Sequence, residues 1–332
     1  MKIILMNARE DEQSAIAKFK ELNPNVTLDV YSNALTKDTM HMLEGYDALV
    51  VSQIQPMEKE VYEKMKSVGI KVMATRSAGF DMYDLNLLKE NGVRLCRVPV
   101  YSPNAIAEFA LTSALYLSRN LYKIQDFVNE YDFRWQKPIL STEMRCKTVG
   151  ILGTGNIGRE AARLFKGTGA KIIGYDKYRT ELAEQYLEYV DSFEELIQKS
   201  DVVSIHMPAT QDNYHLFNKE TLKMMKPNAI IINTARGSII NTKDLIEALE
   251  NNVIAGAALD TYEYEAPFMG KLKSENEIDD EIFKKLLKMS NVLYTPHIAF
   301  YTETAIENLV SIAIEGAIKI LNNEQCDTEV QL

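Results

Sequence analysis

Short apolar runs alternate with longer amphipathic segments along most of the chain. In the first part of the sequence, strands are predicted at 2–6, 48–51, 71–75 and 94–98, and helices at 11–22, 58–68 and 83–90. From Thr148 onward a second series predicts strands at 148–152, 170–175, 201–206, 229–233, 254–259 and 292–295. Such alternation predicts parallel sheets covered by helices, which is an α/β fold.

The alternation is interrupted between the two series. At the sequence Pro99-Val100-Tyr101-Ser102-Pro103, Ser102 is a candidate N-cap and Pro103 suits the first helical position. An Ala-rich helix should follow to about Asn120, and a domain boundary is expected at its start. With 332 residues the chain is long enough for two domains.

The second series opens on a glycine-rich turn. The strand from Thr148 ends in G-x-G-x-x-G, formed by Gly153, Thr154, Gly155, Asn156, Ile157 and Gly158. A helix is predicted from Arg159 to Gly167, and the next strand ends in Asp176. Glycines let backbone approach a pyrophosphate, the helix N-terminus favours anions, and the acid can accept hydrogen bonds from a ribose. This layout predicts dinucleotide binding. A turn without a ligand and an S-adenosylmethionine methyltransferase are the alternatives.

Three chemically distinctive residues follow later strands of the same series. Arg236 follows the strand at 229–233, Glu265 follows the strand at 254–259, and His297 follows the strand at 292–295. Ligands of open α/β sheets lie beyond the carboxyl ends of the strands. Taken singly, each residue is more often structural or solvated. Together with a dinucleotide site, they suit hydride transfer to a 2-oxo acid: Arg236 as carboxylate clamp, His297 as acid/base and Glu265 as its partner.

Composition indicates the cellular compartment and argues against several classes of partner. The net charge of −10 argues against a nucleic-acid partner. Cys96, Cys146 and Cys326 have no metal-binding spacing, so no metal is expected, and so sparse a set suits a reducing cytoplasm. No signal peptide is recognised at the N-terminus, and no apolar run approaches the length of a membrane span.

The motifs together resemble those of the D-isomer-specific 2-hydroxyacid dehydrogenases. The resemblance covers essentially the whole chain and is closest to the D-lactate and D-2-hydroxyisocaproate enzymes. It rests on the segments 98–108, 153–158, 233–237, 260–265 and 295–302. It implies a Rossmann-type NAD-binding domain at 101–299. A flavodoxin-like parallel-sheet substrate domain, discontinuous at 1–100 and 300–332, is also implied. A homodimer through the NAD domain and closure of the domains over substrate are further implications.

The resemblance also assigns roles to individual positions. Substrate contacts are implied for Ser77, Ala78, Gly79, Tyr101, Ser52, Phe300 and Tyr301. Besides the glycine motif and Asp176, cofactor contacts are implied for His206, Pro208, Asn213, Thr234, Ala235 and Asp260. A packed strand-end role remains an alternative for His206.

The remaining polar candidates are expected to have no role in the site. His41 and His215 are expected at the surface, and the segment from Glu275 to Glu281 is expected to be a solvated excursion.

Cofactor and substrate preference are predicted from single positions. The charge of Asp176 should repel the 2′-phosphate of NADP and favour NAD, although Lys177 and Arg179 could soften this preference. Ser52 is smaller than the aromatic or aliphatic residue implied by the resemblance, which leaves room for a branched side chain. Reduction of 2-oxo acids from pyruvate to branched-chain size is therefore expected. A D-2-hydroxyisocaproate-type enzyme with little pyruvate activity and an NAD(H)-sensing binding protein remain the alternatives.

Overall fold

The computed structural model of the protein describes residues 1–53 and 55–332. The chain divides into two units: residues 1–102 with 301–332, and residues 103–300. The domains implied by the sequence have their boundaries one or two residues earlier. In the structure Tyr101 therefore belongs to the first unit, and Phe300 belongs to the second.

The strands of the described residues form two parallel sheets, one in each unit. The first sheet contains β1 (Lys2–Leu5), β2 (Thr27–Val30), β3 (Ala48–Val51), β4 (Val72–Thr75) and β5 (Arg94–Cys96). The second contains β6 (Thr148–Leu152), β7 (Lys171–Tyr175), β8 (Glu188–Tyr189), β9 (Val202–Ile205), β10 (Ile230–Asn233), β11 (Gly256–Leu259) and β12 (Val292–Tyr294). The α/β prediction is confirmed.

The helices connect and cover these strands. In the first unit they are α1 (Gln13–Leu22), α2 (Lys59–Val68), α3 (Leu85–Glu90) and α12 (Glu303–Leu321). In the second they are α4 (Pro103–Ser118), α5 (Leu121–Asn129), α6 (Asn156–Lys166), α7 (Glu181–Glu184), α8 (Phe193–Lys199), α9 (Lys219–Met224), α10 (Thr242–Glu250) and α11 (Glu281–Leu287). Short 3-10 turns occur between several of these elements.

The first unit has the strand order β2-β1-β3-β4-β5, which is the flavodoxin-like order. Strands β3 and β4 are buried along their whole length and consist almost entirely of apolar residues, because helices cover both faces of the sheet. Helix α12 packs against β3, β4, β5 and α1, so the end of the chain completes this unit. The edge strand β2 is not predicted from the sequence, because only Leu28 of its four residues is buried.

The second unit has the strand order β12-β11-β10-β9-β6-β7-β8. The chain order reverses between β6 and β9, which gives the topological switch point of a Rossmann fold. Helix α4 packs against α6, β10 and β11. Because all seven strands are parallel, the segments that follow β6, β7, β9, β10, β11 and β12 emerge at one edge of the sheet.

The helix ends explain where the sequence prediction is shifted. Helix α6 begins at Asn156 rather than Arg159, because Gly155 is its N-cap, and the glycine motif therefore forms the first helical turn. The N-caps of α8 and α12, Ser192 and Thr302, each accept a hydrogen bond from a backbone N–H of their helix. Helices α5, α7, α9 and α11 are not predicted from the sequence.

Candidate active site

The glycine turn after β6 is held by contacts that only glycine permits. Gly153 has φ +88°, and a Cβ added there would lie 2.8 Å from the backbone carbon of His206. A Cβ on Gly158 would lie 1.9 Å from the carbonyl oxygen of Gly153, so α6 sits directly on the turn. Gly155, in contrast, faces open space within 4 Å. The turn is thus packed on its inner side and open at the N-terminus of an eleven-residue helix, as a pyrophosphate requires.

Asp176 lies beside this turn at the end of β7. Its Oδ2 accepts a hydrogen bond of 2.6 Å from the backbone N–H of Thr154, and its Oδ1 accepts one of 3.0 Å from Tyr178. Both nearby cations are occupied by other acids. Lys177 Nζ lies 3.1 Å from Asp212 Oδ2, and an Arg179 nitrogen lies 2.8 Å from Asp191 Oδ1. Neither cation pairs with Asp176.

Two buried polar atoms lie after β9 and β10. His206 shares a 2.8 Å hydrogen bond with the Ser204 hydroxyl through Nε2, while its Nδ1 is buried with no partner among the described residues. The hydroxyl of Thr234 is likewise buried and has no hydrogen-bond partner among the described residues. Unpartnered buried polar atoms are uncommon and indicate a missing ligand or water. Burial lowers the pKa of His206 to about 4, so this ring is neutral at physiological pH.

The loop after His206 closes on itself. The side-chain amide of Asn213 donates 2.7 Å to the carbonyl of Pro208, and its oxygen accepts 2.7 Å from the backbone N–H of Thr210. The exposed ring of Tyr214 lines an open depression with Ala209 to Gln211. Asn213 therefore shapes the loop, and its side chain is already committed there.

Arg236 is exposed at the end of the β10 loop. Asn233 organises this loop, because its side chain donates 2.9 Å to the Arg236 carbonyl and accepts 3.0 Å from the backbone N–H of Ala235. The Arg236 guanidinium donates only to the carbonyl of Ala235, at 2.8 Å, and no described acidic side chain forms an ion pair with it. The guanidinium therefore keeps most of its donors for a carboxylate ligand.

His297 and Glu265 form a direct pair. The Nδ1 of His297 lies 2.8 Å from Glu265 Oε1, and the side chains are 32% and 16% exposed. The other oxygen of Glu265 accepts 3.0 Å from the backbone N–H of Tyr262. A carboxylate at Nδ1 fixes the tautomer with Nδ1–H, and no described residue of the same unit hydrogen-bonds to Nε2.

The backbone at His297 is unusual. Its φ of +57° lies in the left-handed region, which is uncommon for residues other than glycine. Asp260 holds this turn in place: its carboxylate accepts 2.6 Å from the Thr295 hydroxyl and 2.9 Å from each backbone N–H of Ile298 and Ala299. Burial raises the pKa of Asp260. The carboxylate thus positions the His297 turn, in addition to the cofactor contact implied by the resemblance.

The predicted substrate residues of the first unit follow adjacent strands. Ser52 follows β3, Ser77 to Gly79 follow β4, and Tyr101 follows β5. The Ser77 hydroxyl donates 2.6 Å to the carbonyl of Gly79, and Arg97 donates 2.9 Å to the carbonyl of Ala78. The loop after β4 is therefore rigidly held at the carboxyl edge of this sheet. Tyr301, the first residue of the returning segment, is exposed.

A buried ion pair beneath that loop is missed by sequence reasoning. Arg76, which precedes Ser77, is fully buried and donates 2.9 Å and 3.1 Å to the two carboxylate oxygens of Glu12. It also donates to the backbone carbonyls of Met6 and Asn7. The partners are 64 residues apart, so no local pattern indicates the pair.

The expectation that His215 is a surface residue is wrong. Its ring lies 2.8 Å from a carboxylate oxygen of Glu263, and the two side chains are only 23% and 6% exposed. The acidic segment 275–281 is also not solvated throughout. Asp280 caps α11 and accepts a hydrogen bond of 2.6 Å from the Tyr262 hydroxyl. His41 is exposed, as expected.

The described residues contain neither a metal cluster nor a membrane-spanning helix. No cluster of three or more histidine, cysteine, aspartate or glutamate side chains there is arranged to hold a metal ion. In the same part of the chain, no helix has the length and apolar character needed to cross a membrane.

The chain is similar to proteins of known family. Residues 111–299 match the family model described as D-isomer specific 2-hydroxyacid dehydrogenase, NAD binding domain. Over 332 residues the chain is 49% identical to a D-lactate dehydrogenase of Treponema pallidum, and the similarity covers 100% of both chains. It is 42% identical over 322 residues to a D-2-hydroxyacid dehydrogenase (NAD(+)) of Clostridioides difficile, and the similarity covers 97% of each chain.

The fold is also found among solved structures. A D-isomer specific 2-hydroxyacid dehydrogenase from Lactobacillus delbrueckii ssp. bulgaricus, in its NAD complexed form, superposes with a TM-score of 0.91. The two sequences are 35% identical, and the match covers 100% of each chain. The similarity therefore extends over both units.

Proposed function

Because the chain belongs to the D-isomer-specific 2-hydroxyacid dehydrogenases, we propose that it reduces pyruvate to D-lactate with NADH. The observation that carries the proposal is the 2.8 Å His297–Glu265 pair, with Nε2 left for a substrate, on the sheet edge that also carries the glycine turn. The D-lactate dehydrogenase of Treponema pallidum, 49% identical over its whole length, supports this substrate.

The two units take different parts in the proposal. Residues 103–300 bind NAD, and residues 1–102 with 301–332 bind the substrate. The match of residues 111–299 to the family's NAD-binding domain supports the first assignment. The rigid loop of Ser77, Ala78 and Gly79, beside Tyr101, supports the second, because backbone amides at a strand end suit a carboxylate.

The residues present fit a dinucleotide. The open face at Gly155 and the N-terminus of α6 would hold the pyrophosphate, and Asp176 would hold a ribose. The buried, unpartnered atoms of His206 and Thr234 would meet the cofactor along the same edge. NAD is favoured over NADP, because Lys177 and Arg179 are paired with other acids and do not offset the charge of Asp176.

When bound, the reduced nicotinamide supplies the hydride. Arg236 binds the substrate carboxylate in two parallel hydrogen bonds and orients the carbonyl. The doubly protonated ring of His297 would donate its Nε2 proton to the carbonyl oxygen, so that the alcohol forms without a free alkoxide. Glu265 holds the ring at Nδ1 and fixes its orientation for the transfer.

Ser52 favours a wider substrate range than pyruvate alone. It follows β3 and is partly buried, and its carbonyl is held by the side chain of Asn7 at 2.5 Å. A small side chain there leaves space for a branched substrate such as 2-oxoisocaproate. An enzyme that prefers the branched acid is the second candidate function.

A homodimer through the second unit is part of the proposal. Helix α5 buries none of its residues within its own chain, and the segment after it exposes large apolar side chains. These are Tyr131, Phe133, Trp135 and Leu140, with exposures of 84%, 71%, 101% and 78%. Contiguous exposed apolar side chains of this kind mark interaction surfaces. A cytoplasmic location is also proposed, where cellular NADH is available.

The decisive experiment is NADH oxidation, followed at 340 nm, with a panel of 2-oxo acids. Pyruvate and 2-oxoisocaproate should be reduced, NADPH should serve much less well, and chiral chromatography should show the D-isomer. The ratio of kcat/KM for the two acids decides between the two candidate functions. A protein that binds NADH but reduces no 2-oxo acid would be a sensor rather than an enzyme. Light scattering of the purified protein tests the dimer.

A further inference from the structure

A second histidine–glutamate pair lies next to the proposed active site. His215 Nε2 lies 2.8 Å from Glu263 Oε2, and Glu263 is two residues before Glu265. His215 also joins this pair to the Arg236 loop, because its backbone N–H donates 2.9 Å to the carbonyl of Ser238. Phe217 continues the contact through a parallel bridge to Ile240. The pair therefore connects the chain after β9 to the chain after β10.

Both ring nitrogens of His215 are occupied. The Asn241 side chain lies 3.3 Å from Nδ1, and its oxygen is already bound as the N-cap of α10, where it accepts 3.2 Å from Asp244. The cap fixes the orientation of the amide, so its NH2 group faces Nδ1, which must accept. Nε2 consequently carries the proton and donates to Glu263. A ring with both nitrogens used has no proton to exchange with a substrate.

Glu263 is bound at both carboxylate oxygens. Besides His215, it accepts 3.1 Å from the backbone N–H of Thr242 at the start of α10. Its side chain is only 6% exposed. The charge is thus largely withdrawn from water and compensated by two directed hydrogen bonds, which makes its position well defined.

The backbone of Glu263 in turn supports Arg236. A Cβ added to Gly237 would lie 2.2 Å from the Tyr262 carbonyl carbon and 2.3 Å from the Glu263 nitrogen. The residue after Arg236 therefore lies directly on the peptide between Tyr262 and Glu263. A displacement of that peptide displaces the Arg236 backbone, and the guanidinium with it.

We propose that His215 and Glu263 are positioning residues that hold Arg236 in place for the substrate carboxylate. This inference rests on the proposed reduction of 2-oxo acids, in which Arg236 is the clamp. Loss of the pair should weaken substrate binding through Arg236 while leaving proton transfer by His297 in place. The effect should therefore fall on KM rather than on the pH dependence.

Three variants test the inference. His215→Ala removes the donor to Glu263. In Glu263→Gln the side-chain amide has one acceptor oxygen, so one of the two hydrogen bonds, from His215 or from Thr242, is lost. His215→Gln restores a side-chain donor, and it bears the same left-handed backbone at φ +52° as the Ala variant, so the two differ mainly in the hydrogen bond. Glu247→Gln is the matched control, because Glu247 pairs with Lys219 at the surface, away from Gly237.

The first two variants should raise KM for pyruvate by about tenfold and change kcat much less, as expected for a misplaced clamp. His215→Gln should recover most of the wild-type KM, and Glu247→Gln should match wild type. The NADH dissociation constant and the pH profile of kcat/KM should not change. If Glu263→Gln does not fold, His215→Ala decides, since it retains the Thr242 hydrogen bond.

Other outcomes would overturn the inference. A lower Tm with wild-type KM would make the pair purely structural. A shifted pH profile in His215→Ala would mean that His215 takes part in proton transfer, and a raised NADH dissociation constant with unchanged KM would assign the pair to the cofactor loop. These outcomes require an active wild-type enzyme. A wild type that reduces no 2-oxo acid would instead refute the proposed function, and the inference with it.

Discussion

Two histidine–glutamate pairs occur within the second unit, and they differ in the use of the second ring nitrogen. Both have nitrogen–oxygen distances of 2.8 Å, and both histidines have left-handed backbone, with φ +52° at His215 and +57° at His297. At His215 the other nitrogen binds Asn241. At His297 no described residue of the unit binds Nε2. A short carboxylate contact alone therefore does not identify a catalytic histidine.

The carboxylates of the two pairs, Glu263 and Glu265, also differ in what their second oxygens bind. Glu263 is 6% exposed and accepts from His215 and from the start of α10, so it ties elements together. Glu265 is 16% exposed, and its second oxygen is held by the nearby Tyr262 N–H, so it is fixed locally. In our proposals the first pair holds Arg236 in position, whereas the second donates a proton to the substrate. The comparison can be tested by changing each member in turn.

The largest effect is expected for His297→Asn. Asparagine tolerates left-handed backbone, so the change removes the proton donor without adding much strain. We expect kcat to fall by about 10²–10⁴-fold, while NADH binding survives, because the proton is needed only during the reaction. His215→Asn, at a backbone of the same kind, is the matched comparison and should retain most of kcat. Steady-state kinetics with NADH titrations would measure both, and equal losses of kcat would remove the distinction between the pairs.

The next largest effect is expected for Arg236→Lys. An ammonium group cannot form the two parallel hydrogen bonds of a guanidinium, so KM for pyruvate should rise by about ten- to a hundredfold, with a smaller fall in kcat. Lys243→Ala, which removes an exposed cation at the start of α10, serves as a control for loss of a positive charge. Kinetics at saturating NADH would measure the change. An unaltered KM would show that another cation binds the carboxylate.

Gly237→Ala should lower the stability of the protein and weaken substrate binding, with a smaller rise in KM than Arg236→Lys. The new methyl group would meet backbone atoms at 2.2–2.3 Å, which cannot be relieved by a side-chain rotation. We expect a free energy of unfolding lower by about 1–3 kcal/mol and a raised KM, since overpacking forces the backbone to move. Chemical denaturation would measure the stability, with Gly155→Ala as the control, because its Cβ faces open space. Equal stability of the two variants would contradict the close contact at Gly237.

Local patterns were enough to predict much of this molecule. The buried strands, the glycine turn and Asp176 depend on residues close together in sequence, and the structure places Asp176 on the turn as a parallel sheet requires. Arg236, Glu265 and His297 follow parallel strands, so their common edge was also predictable. Helix α5 could not be found by an apolar stripe facing its own unit, because it buries none of its residues there.

The rest depends on partners far apart in the chain. The Arg76–Glu12 pair spans 64 residues and the His215–Glu263 pair spans 48. A charged or imidazole side chain in a loop resembles a solvated residue until its partner is known, so the sequence alone predicts a surface position for His215. The tautomer of His215 additionally depends on Asn241, whose orientation is set by the cap of α10.

The smallest effect is expected for His206, a third histidine that has no carboxylate partner. Its neutral form is favoured in the folded protein, because burial lowers its pKa from 6.5 to about 4. Stability from this group is therefore complete above pH 6.5 and is lost as the pH falls towards 4, where the unfolded chain binds the proton more readily. His206→Gln, which keeps a donor near Ser204, should lose less stability than wild type over that interval. The difference in Tm between the two proteins should be constant above pH 6.5 and should shift in favour of the variant below it. Parallel Tm curves across the whole range would mean that burial does not lower the pKa of His206 in the folded protein.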